Sequence, residues 1–285
     1  MSQEILSKLN TTHINEISSS GNEPDWLKDY RKNSLSIYDS LPIETSPLYN
    51  KYTDAKKMDP EKVSLSTTTT ETVPAFLQKR LGELDNEICI IQIGTNIHKI
   101  NLPDELKSKG LVISSISDAI QNNPELVKKA LEASSSKDDK FTALNNAAFN
   151  SGIFIHIPRN FILDKPIYFL TCLSEDGHST ISRNIIFADE SSKSTLVQEL
   201  YSPNIQTQQA YLELMNTNVA ANAQLDITTL QMMDQHAVTF STKRTDLAQD
   251  SKVNWYSGLF GSMLSRYKIE YFLNGTGASL SLIHI

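Results

Sequence analysis

The stretch Tyr211-Leu212-Glu213-Leu214-Met215-Asn216-Thr217-Asn218, followed after a short gap by Gln224-Leu225-Asp226-Ile227-Thr228-Thr229-Leu230, brings an apolar side chain round at about every second position. Successive side chains on a β-strand point to opposite faces, so a period of two is a strand signature. Backwards from this stretch the period holds as far as Gly152, and forwards it holds to the end of the chain. Candidate strands begin near Ile153, Ile167, Asn184, Thr195, Tyr211, Gln224, Val238, Val253, Tyr267 and Ser279, one about every 10 to 17 residues. Short strands at such spacing indicate a sandwich, a barrel or a solenoid. Sandwiches and barrels favour tight hairpins, and only Asp176-Gly177 and Asn274-Gly275 supply the residue pairs for them. A parallel β-helix stacks each strand on its equivalent in the next coil, burying apolar side chains and pairing polar ones in ladders. The polar-rich strands fit that design slightly better, and on this pattern alone the other two folds stay open.

Upstream of Gly152 the period is nearer 3.6. Glu23-Pro24-Asp25-Trp26 opens a helix, with proline in the first turn and Asp25 at the positive end of the dipole. Trp26, Tyr30, Ile37 and Leu41 then form one stripe that Pro42 ends. Residues 46–70, with Pro47, Pro60 and a run of four threonines, read as an extended connection. A small α/β unit follows: a helix carrying Phe76, Leu77, Leu81 and Leu84, a buried strand Ile88-Cys89-Ile90-Ile91-Gln92-Ile93, a short strand Leu111-Val112-Ile113, a helix from Pro124 to Ala133, and a last helix through Phe141, Leu144, Ala148 and Phe149 that closes near Gly152. The expected divisions are 1–70, a helical region with its linker; 71–151, the α/β unit; and 152–285, the strand-rich part.

A chain of 285 residues, 39% hydrophobic and 21% charged, has the composition of a globular protein. Its formal charge of −7 argues against a general nucleic-acid binder, which needs a basic face to neutralise phosphates. The first ten residues lack the apolar core of a secretion signal, and no apolar run reaches the roughly 18 residues of a membrane span. A cytoplasmic protein without membrane contact is the expectation. The two cysteines, Cys89 and Cys172, sit far apart in apolar stretches and read as buried structural thiols. Asn10-Thr11-Thr12 and Asn274-Gly275-Thr276 match the glycosylation sequon, which carries no weight without a signal.

Three phrases resemble a known family. Glu23-Pro24-Asp25-Trp26-Leu27-Lys28-Asp29-Tyr30-Arg31, with Leu41-Pro42, resembles the "EPxWLxxxR … LP" helix of the SufB/SufD family of iron–sulfur cluster assembly proteins. Gly152-Ile153-Phe154-Ile155-His156-Ile157-Pro158-Arg159-Asn160, running through Lys165-Pro166-Ile167 to Asn184-Ile185-Ile186-Phe187-Ala188 and Ser194-Thr195-Leu196-Val197-Gln198-Glu199, is similar to the family's passage into its β-helix. Gly258-Leu259-Phe260-Gly261-Ser262-Met263-Leu264-Ser265-Arg266, ahead of Leu273-Asn274-Gly275-Thr276-Gly277-Ala278, resembles its "GxxxxR … LxGxGA" repeat. The phrases fall in family order. The resemblance implies a mixed α and β fold, with a helical and α/β N-terminal region followed by a right-handed parallel β-helix. Gly152, Gly258, Gly261, Gly275 and Gly277 then suit turns and corners, and Pro158 ends the first strand. The lack of cysteines ahead of Trp26 makes the chain more like SufD than SufB.

That likeness implies a non-enzymatic scaffold pairing with a SufB-like subunit through the β-helix and with a SufC-like ATPase. The chain itself has no G-x-x-x-x-G-K-[ST] phosphate loop. An iron–sulfur cluster would be transient cargo of the complex, a flavin is allowed only at the level of the whole complex, and no cofactor is expected on this chain. Family members continue past the Gly275–Gly277 repeat into later coils and a helical region that docks SufC. The chain is therefore expected to be C-terminally truncated, its last residues, 279–285, fitting the family poorly, with cluster and SufC-binding residues lying beyond it. The alternatives are a SufB-like subunit that holds the cluster, and a β-helix carbohydrate-active enzyme using Asp226, Glu213 and Glu199 on successive strands.

No catalytic, cofactor or metal residue is assigned. His156 alternates with Ile155 and Ile157 and reads as solvated or coil-lining; His178 falls in a polar turn after Asp176-Gly177; His236 beside Asp234 forms a base-like pair with no third partner; His13, His98 and His284 offer less.

Overall fold

In the computed structural model, residues 9–44, 47–52, 65, 73–174, 178–204 and 206–284 are described. The ten expected strands are all present. They are β4 (Ile153–Ile157), β5 (Ile167–Cys172), β6 (Thr180–Ala188), β7 (Lys193–Tyr201), β8 (Gln209–Val219), β9 (Gln224–Met233), β10 (Ala237–Leu247), β11 (Lys252–Gly261), β12 (Leu264–Leu273) and β13 (Ser279–His284). Odd-numbered strands pair parallel in the first sheet and even-numbered strands parallel in the second. Each coil therefore contributes one strand to each sheet, and five coils make a parallel β-solenoid. β13 pairs in register with β11, Lys252 opposite Ser279 through Ser257 opposite His284, so 279–284 extend the solenoid despite their poor fit to the family pattern.

One corner of every coil is built the same way. Asn160, Ser191, Asn222, Asp250 and Gly277 all have φ between 55° and 75°. Each of the first four donates its N–H to a carbonyl of the next corner: Asn160 to Glu190 (2.9 Å), Ser191 to Ala221 (3.0 Å), Asn222 to Gln249 (2.9 Å) and Asp250 to Thr276 (2.9 Å). Left-handed backbone suits Gly, Asn and Asp, whose steric penalty there is smallest. At Gly277 a Cβ would come within 2.0 Å of Asp250 Oδ1.

Most of the helices lie on the outer face of the second sheet, and α4 (Gln78–Glu83) lies on the first. The helices include α1 (Thr11–Ser20), α2 (Asp25–Ser40), α3 (Pro47–Tyr52), α4, α5 (Asp104–Ser108), α6 (Ile116–Asn122), α7 (Pro124–Glu132) and α8 (Lys140–Ala148), of which α1, α2 and α6 to α8 share one core with Ile181, Ile185, Phe187, Ala210, Leu212, Val238 and Phe240 of the second sheet. Phe141 stacks on Phe240 with ring centroids 4.7 Å apart. Burying a large apolar side chain contributes about 1.5–3 kcal/mol, and this interface holds many of them.

The small N-terminal strands start the solenoid. β1 (Ile88–Ile93) pairs parallel with β5, β2 (Asn96–Asn101) pairs antiparallel with β1, and β3 (Val112–Ser115) pairs antiparallel with β4. The first coil therefore has no open edge. A 3-10 turn, Ala75–Leu77, leads into α4, which covers the outer face of β1 and β5 with Leu77, Leu84, Cys89, Ile91, Leu170 and Cys172. Both cysteines are buried, as expected.

Several expectations need correction. The inward stripe of α2 is Leu27, Arg31, Ser34, Leu35 and Tyr38, while Trp26, Tyr30, Ile37 and Leu41 pack at its margin. Counting apolar residues alone missed it, because its centre is a charge: Arg31 donates to both oxygens of Glu23, at 2.8 and 2.6 Å, and lies 3.8 Å from the centre of the Phe149 ring. The last helix ends at Ala148 with extended Phe149 as its cap, so Gly152 closes no helix. With φ 139°, Gly152 instead passes so close to the next coil that a Cβ would lie 2.0 Å from the Arg183 carbonyl oxygen. Gly258 lies inside β11 beneath the Phe260 ring rather than at a corner. Within 46–70, residues 47–52 are helical instead of extended and Leu65 bridges Ser179; the rest, like Asp176-Gly177, falls outside the described residues.

Candidate functional site

Alternation decides which side chains meet inside the solenoid. Beside the left-handed corner the lumen is apolar, filled by Ile157, Ala188, Val219 and Leu247 of one sheet and Leu196, Leu225 and Val253 of the other. Toward the opposite corner it is polar. Ser182, Glu213, Ser241 and Tyr267 are register partners along the second sheet, and Gln198, Thr229, Ser257 and His284 along the first. Leu212, one of the apolar residues that marked β8 as a strand, faces outward into the helical layer, whereas Glu213 faces the lumen.

The two ladders meet at an ion pair. Glu213 Oε2 lies 2.9 Å from Lys243 Nζ, and both side chains are 0% exposed. The same oxygen accepts the Ser241 hydroxyl at 2.7 Å, and Oε1 accepts Asn184 Nδ2 at 2.7 Å and Gln198 Nε2. Lys243 donates a second bond to Gln198 Oε1, which also accepts the Thr229 hydroxyl at 3.0 Å; Trp255 Nε1 donates to Thr229 at 3.3 Å. The ammonium sits between the Trp255 and Tyr267 rings, 5.4 and 5.5 Å from their centres.

Charge state follows from these partners. Burial works to raise the Glu213 carboxyl, but Lys243 and the bonds from Ser241 and Gln198 hold it below its ordinary value. Burial works to lower the Lys243 ammonium, and Glu213 holds it above its ordinary value. Burial and the neighbouring carboxylate push the Tyr211 phenol well upward. Glu213 and Lys243 are therefore a fixed ionised pair at neutral pH, neither a proton shuttle nor a free amine nucleophile. Gln231 Oε1, Thr217 Oγ1 and Thr245 Oγ1 are buried without a direct protein partner, which adds hydrogen-bonding capacity to this interior.

A second charged cluster joins the N-terminal region to the solenoid. Arg266 Nε donates to Glu44 Oε2 at 2.6 Å, and the guanidinium lies between the Tyr49 and Phe141 rings, 4.4 and 4.2 Å from their centres. Lys268 Nζ lies 3.2 Å from Asp139, and Tyr49 donates to the Tyr267 carbonyl at 3.3 Å. On the first sheet, Arg80 binds both oxygens of Glu199 and so fastens α4 to β7.

The residues singled out in the sequence are scattered. Glu199 and Asp226 face outward from the first sheet, bound to Arg80 and Asn254, and Glu213 is sealed in the lumen, so the three acids expected of a carbohydrate-active enzyme share no cleft. His156 lies on the face opposite Ile155 and Ile157 and pairs with Asp189 at 2.8 Å. His236 pairs with Asp234 at 2.8 Å. His13 contacts its helix cap Asn10, His98 lies in β2, His178 offers its carbonyl to Gln209, and His284 stacks on Tyr267. Among the described residues, no three His, Cys, Asp or Glu side chains come together as a metal-binding group. Lys243 was missed. Its signal was present: Glu213 and Lys243 occupy polar positions of the alternating pattern one coil apart.

These residues build a parallel solenoid with a helical layer on one sheet and a buried polar lumen. Comparison with known proteins places it. The SufBD protein N-terminal region matches residues 19–169, and the SufBD core domain of SUF-system FeS cluster assembly matches residues 171–285. The chain belongs to the SufBD family of iron–sulfur cluster assembly proteins. An iron–sulfur cluster assembly SufBD family protein of Staphylococcus aureus (strain USA300) is 27% identical over 289 aligned positions, and one of Staphylococcus saprophyticus is 26% identical over 288. Each alignment covers 95% of this chain and 61% of the relative, so the chain spans about three-fifths of the length of these curated relatives.

Proposed function

We propose that the chain is a SufD-like scaffold subunit of a SufB–SufC–SufD complex. Family membership over both matched regions carries this reading. Its solenoid would pair with a SufB-like subunit, while the SufC-like ATPase would dock on the part of the relatives' length that this chain does not span. The iron–sulfur cluster is cargo of the assembled complex, no catalytic or cluster-ligating residue is assigned here, and a flavin would belong to the complex alone. Nothing in the reading calls for a nucleic acid or a membrane; no helix among the described residues is long and apolar enough to cross one, and a cytoplasmic setting fits. The absence of cysteines ahead of Trp26 favours SufD-like over SufB-like character. Co-expression of the full-length protein with SufB-like and SufC-like partners tests this. A ternary complex containing one copy of this protein beside SufB is expected; failure to co-purify with either overturns the proposal, and replacement of SufB by this protein in a working complex reverses the subtype.

A further inference from the structure

The last left-handed corner carries one residue more than the corners before it. Ala188, Val219, Leu247 and Leu273 are register partners at the ends of β6, β8, β10 and β12. From those strand ends, Asp189-Glu190, Ala220-Ala221 and Ala248-Gln249 lead to the left-handed Ser191, Asn222 and Asp250, whereas Asn274-Gly275-Thr276 leads to Gly277. In the shorter corners one residue does two jobs. Asp189, Ala220 and Ala248 donate their N–H groups to Ile157, Ala188 and Val219 of the coil before, at 2.9, 2.9 and 3.0 Å. Their carbonyls accept the N–H groups of Ser192, Ala223 and Ser251, at 3.1, 3.1 and 3.3 Å.

In the last corner the extra residue divides those jobs. Asn274 donates its N–H to Leu247 at 2.9 Å, and the Gly275 carbonyl accepts the Ala278 N–H at 3.2 Å. The peptide unit between them is left over: among the described residues, neither the Asn274 carbonyl nor the Gly275 N–H enters a hydrogen bond. A peptide plane without such bonds lacks the tether that fixes the rest of the corner. Asn274 is exposed, and its side chain is held by one exposed bond, from Nδ2 to Asp246 Oδ1 at 3.0 Å. Position 275 has to be glycine, because a Cβ there would lie 2.1 Å from the Gln249 backbone nitrogen. The same missing side chain leaves the Gly275 nitrogen open to the side chain before it.

We propose that Asn274 is a site of spontaneous covalent modification by its own main chain. The Gly275 nitrogen gives up its proton to solvent and attacks Asn274 Cγ. An N–Cγ bond forms, the Cγ–Nδ2 bond breaks, and ammonia leaves with a proton from solvent, closing a five-membered imide. Water then opens the ring at either carbonyl and yields aspartate or its β-linked isomer, so the balance is one water consumed and one ammonia released. The products fit the corner badly. A new carboxylate faces Asp246 where an amide donated to it, and the β-linked form lengthens the main chain by one carbon where Gly275 touches Gln249. β13, which follows this corner, then loses part of its hold on β11. The proposal does not rest on the scaffold reading.

The test is to age the folded 285-residue chain at pH 8, digest samples with trypsin, and follow residues 269–285 by mass spectrometry. Isoaspartyl methyltransferase labelling counts the β-linked product. Asn274 should convert steadily to both products, at a rate comparable to that of a synthetic peptide of residues 269–285. Asn160 and Asn222 should stay intact in the same digests, since the N–H groups that follow them are bonded to Pro158 and Ala220, at 3.3 and 3.1 Å. Asn274→Gln, which keeps the amide but needs a larger ring, should lose the conversion and keep the wild-type melting curve. Amide exchange across Ser279–His284 should be faster in aged than in fresh protein. An unmodified folded chain beside a converting peptide, or equal conversion at Asn222, would overturn the site. Unchanged exchange in fully converted protein would overturn the loosening of β13.

Discussion

Lys243 Nζ lies 2.9 Å from Glu213 Oε2 at the centre of a lumen that neither side chain leaves. A buried ion pair gains little over well-packed apolar residues, because desolvation of both charges offsets their attraction, but breaking it strands a charge. Lys243→Met alone should therefore destabilise the protein by about 3–5 kcal/mol, and the double variant Lys243→Met with Glu213→Leu should recover most of that loss. Urea unfolding midpoints at neutral pH decide it. Additive losses in the double variant would show that the two residues do not act as a pair.

The pair also sets an acid limit. In the unfolded chain Glu213 titrates near 4.5, whereas in the folded chain its carboxyl titrates lower. Its contribution is thus complete above pH 4.5 and is lost as pH falls through the folded-state value. Lys243 has the opposite sense: its ammonium is held above 10.5, so its contribution is complete below that pH and is lost as pH rises further. Urea midpoints from pH 3 to 7 should fall more steeply on the acid side for the wild type than for Glu213→Gln. Identical slopes would remove Glu213 from the acid limit.

Two glycines should respond in opposite ways. At Gly152 a Cβ would meet the Arg183 carbonyl at 2.0 Å with φ 139°, so Gly152→Ala should lower the melting temperature by many degrees or prevent soluble expression. At Gly82, within α4, nothing lies within 4 Å of the added methyl, and Gly82→Ala should be neutral or stabilise by about 0.5–1 kcal/mol. Paired melting curves test both.

Arg266 should resist conservative replacement. Arg266→Lys keeps the charge but loses the planar stack between Tyr49 and Phe141. Amide hydrogen exchange across 47–52 should then rise, while the coil strands β8 and β9 keep their protection. No change at 47–52 would show that α3 is held by other contacts.

The strands were legible because both their faces are buried in a way that preserves the period: Leu212 turns to the helices and Glu213 to the lumen, so the pattern of two survived although its polar half points inward. The family phrases were legible because Gly152 and Gly261 pass so close to the backbone of a neighbouring coil that no side chain fits there. What stayed hidden depended on partners distant in sequence. Arg31 reads as a surface charge until Glu23 and Phe149 enclose it, and Lys243 does so until a residue 30 positions away supplies the counter-charge. The β1–β2 pair was half missed because Asn96–Asn101 covers an edge and buries little. The His236–Asp234 and Asn274-Gly275 pairs were visible as neighbours, but the extra corner residue that leaves the Gly275 N–H unbonded was not.

The left-handed corner that recurs at 160, 191, 222, 250 and 277 has a consequence for how such a molecule changes size. Since each corner bonds to the next, an insertion or deletion of one whole coil, about 27–31 residues, would keep the pattern of corner-to-corner bonds, while the helical layer that spans several coils would have to re-register. The interior channel is then lengthened or shortened in fixed steps of one strand spacing, about 4.8 Å. Distance along the axis is thereby counted in repeats, and a polar network such as that of Gln198, Glu213 and Lys243 ties neighbouring repeats together.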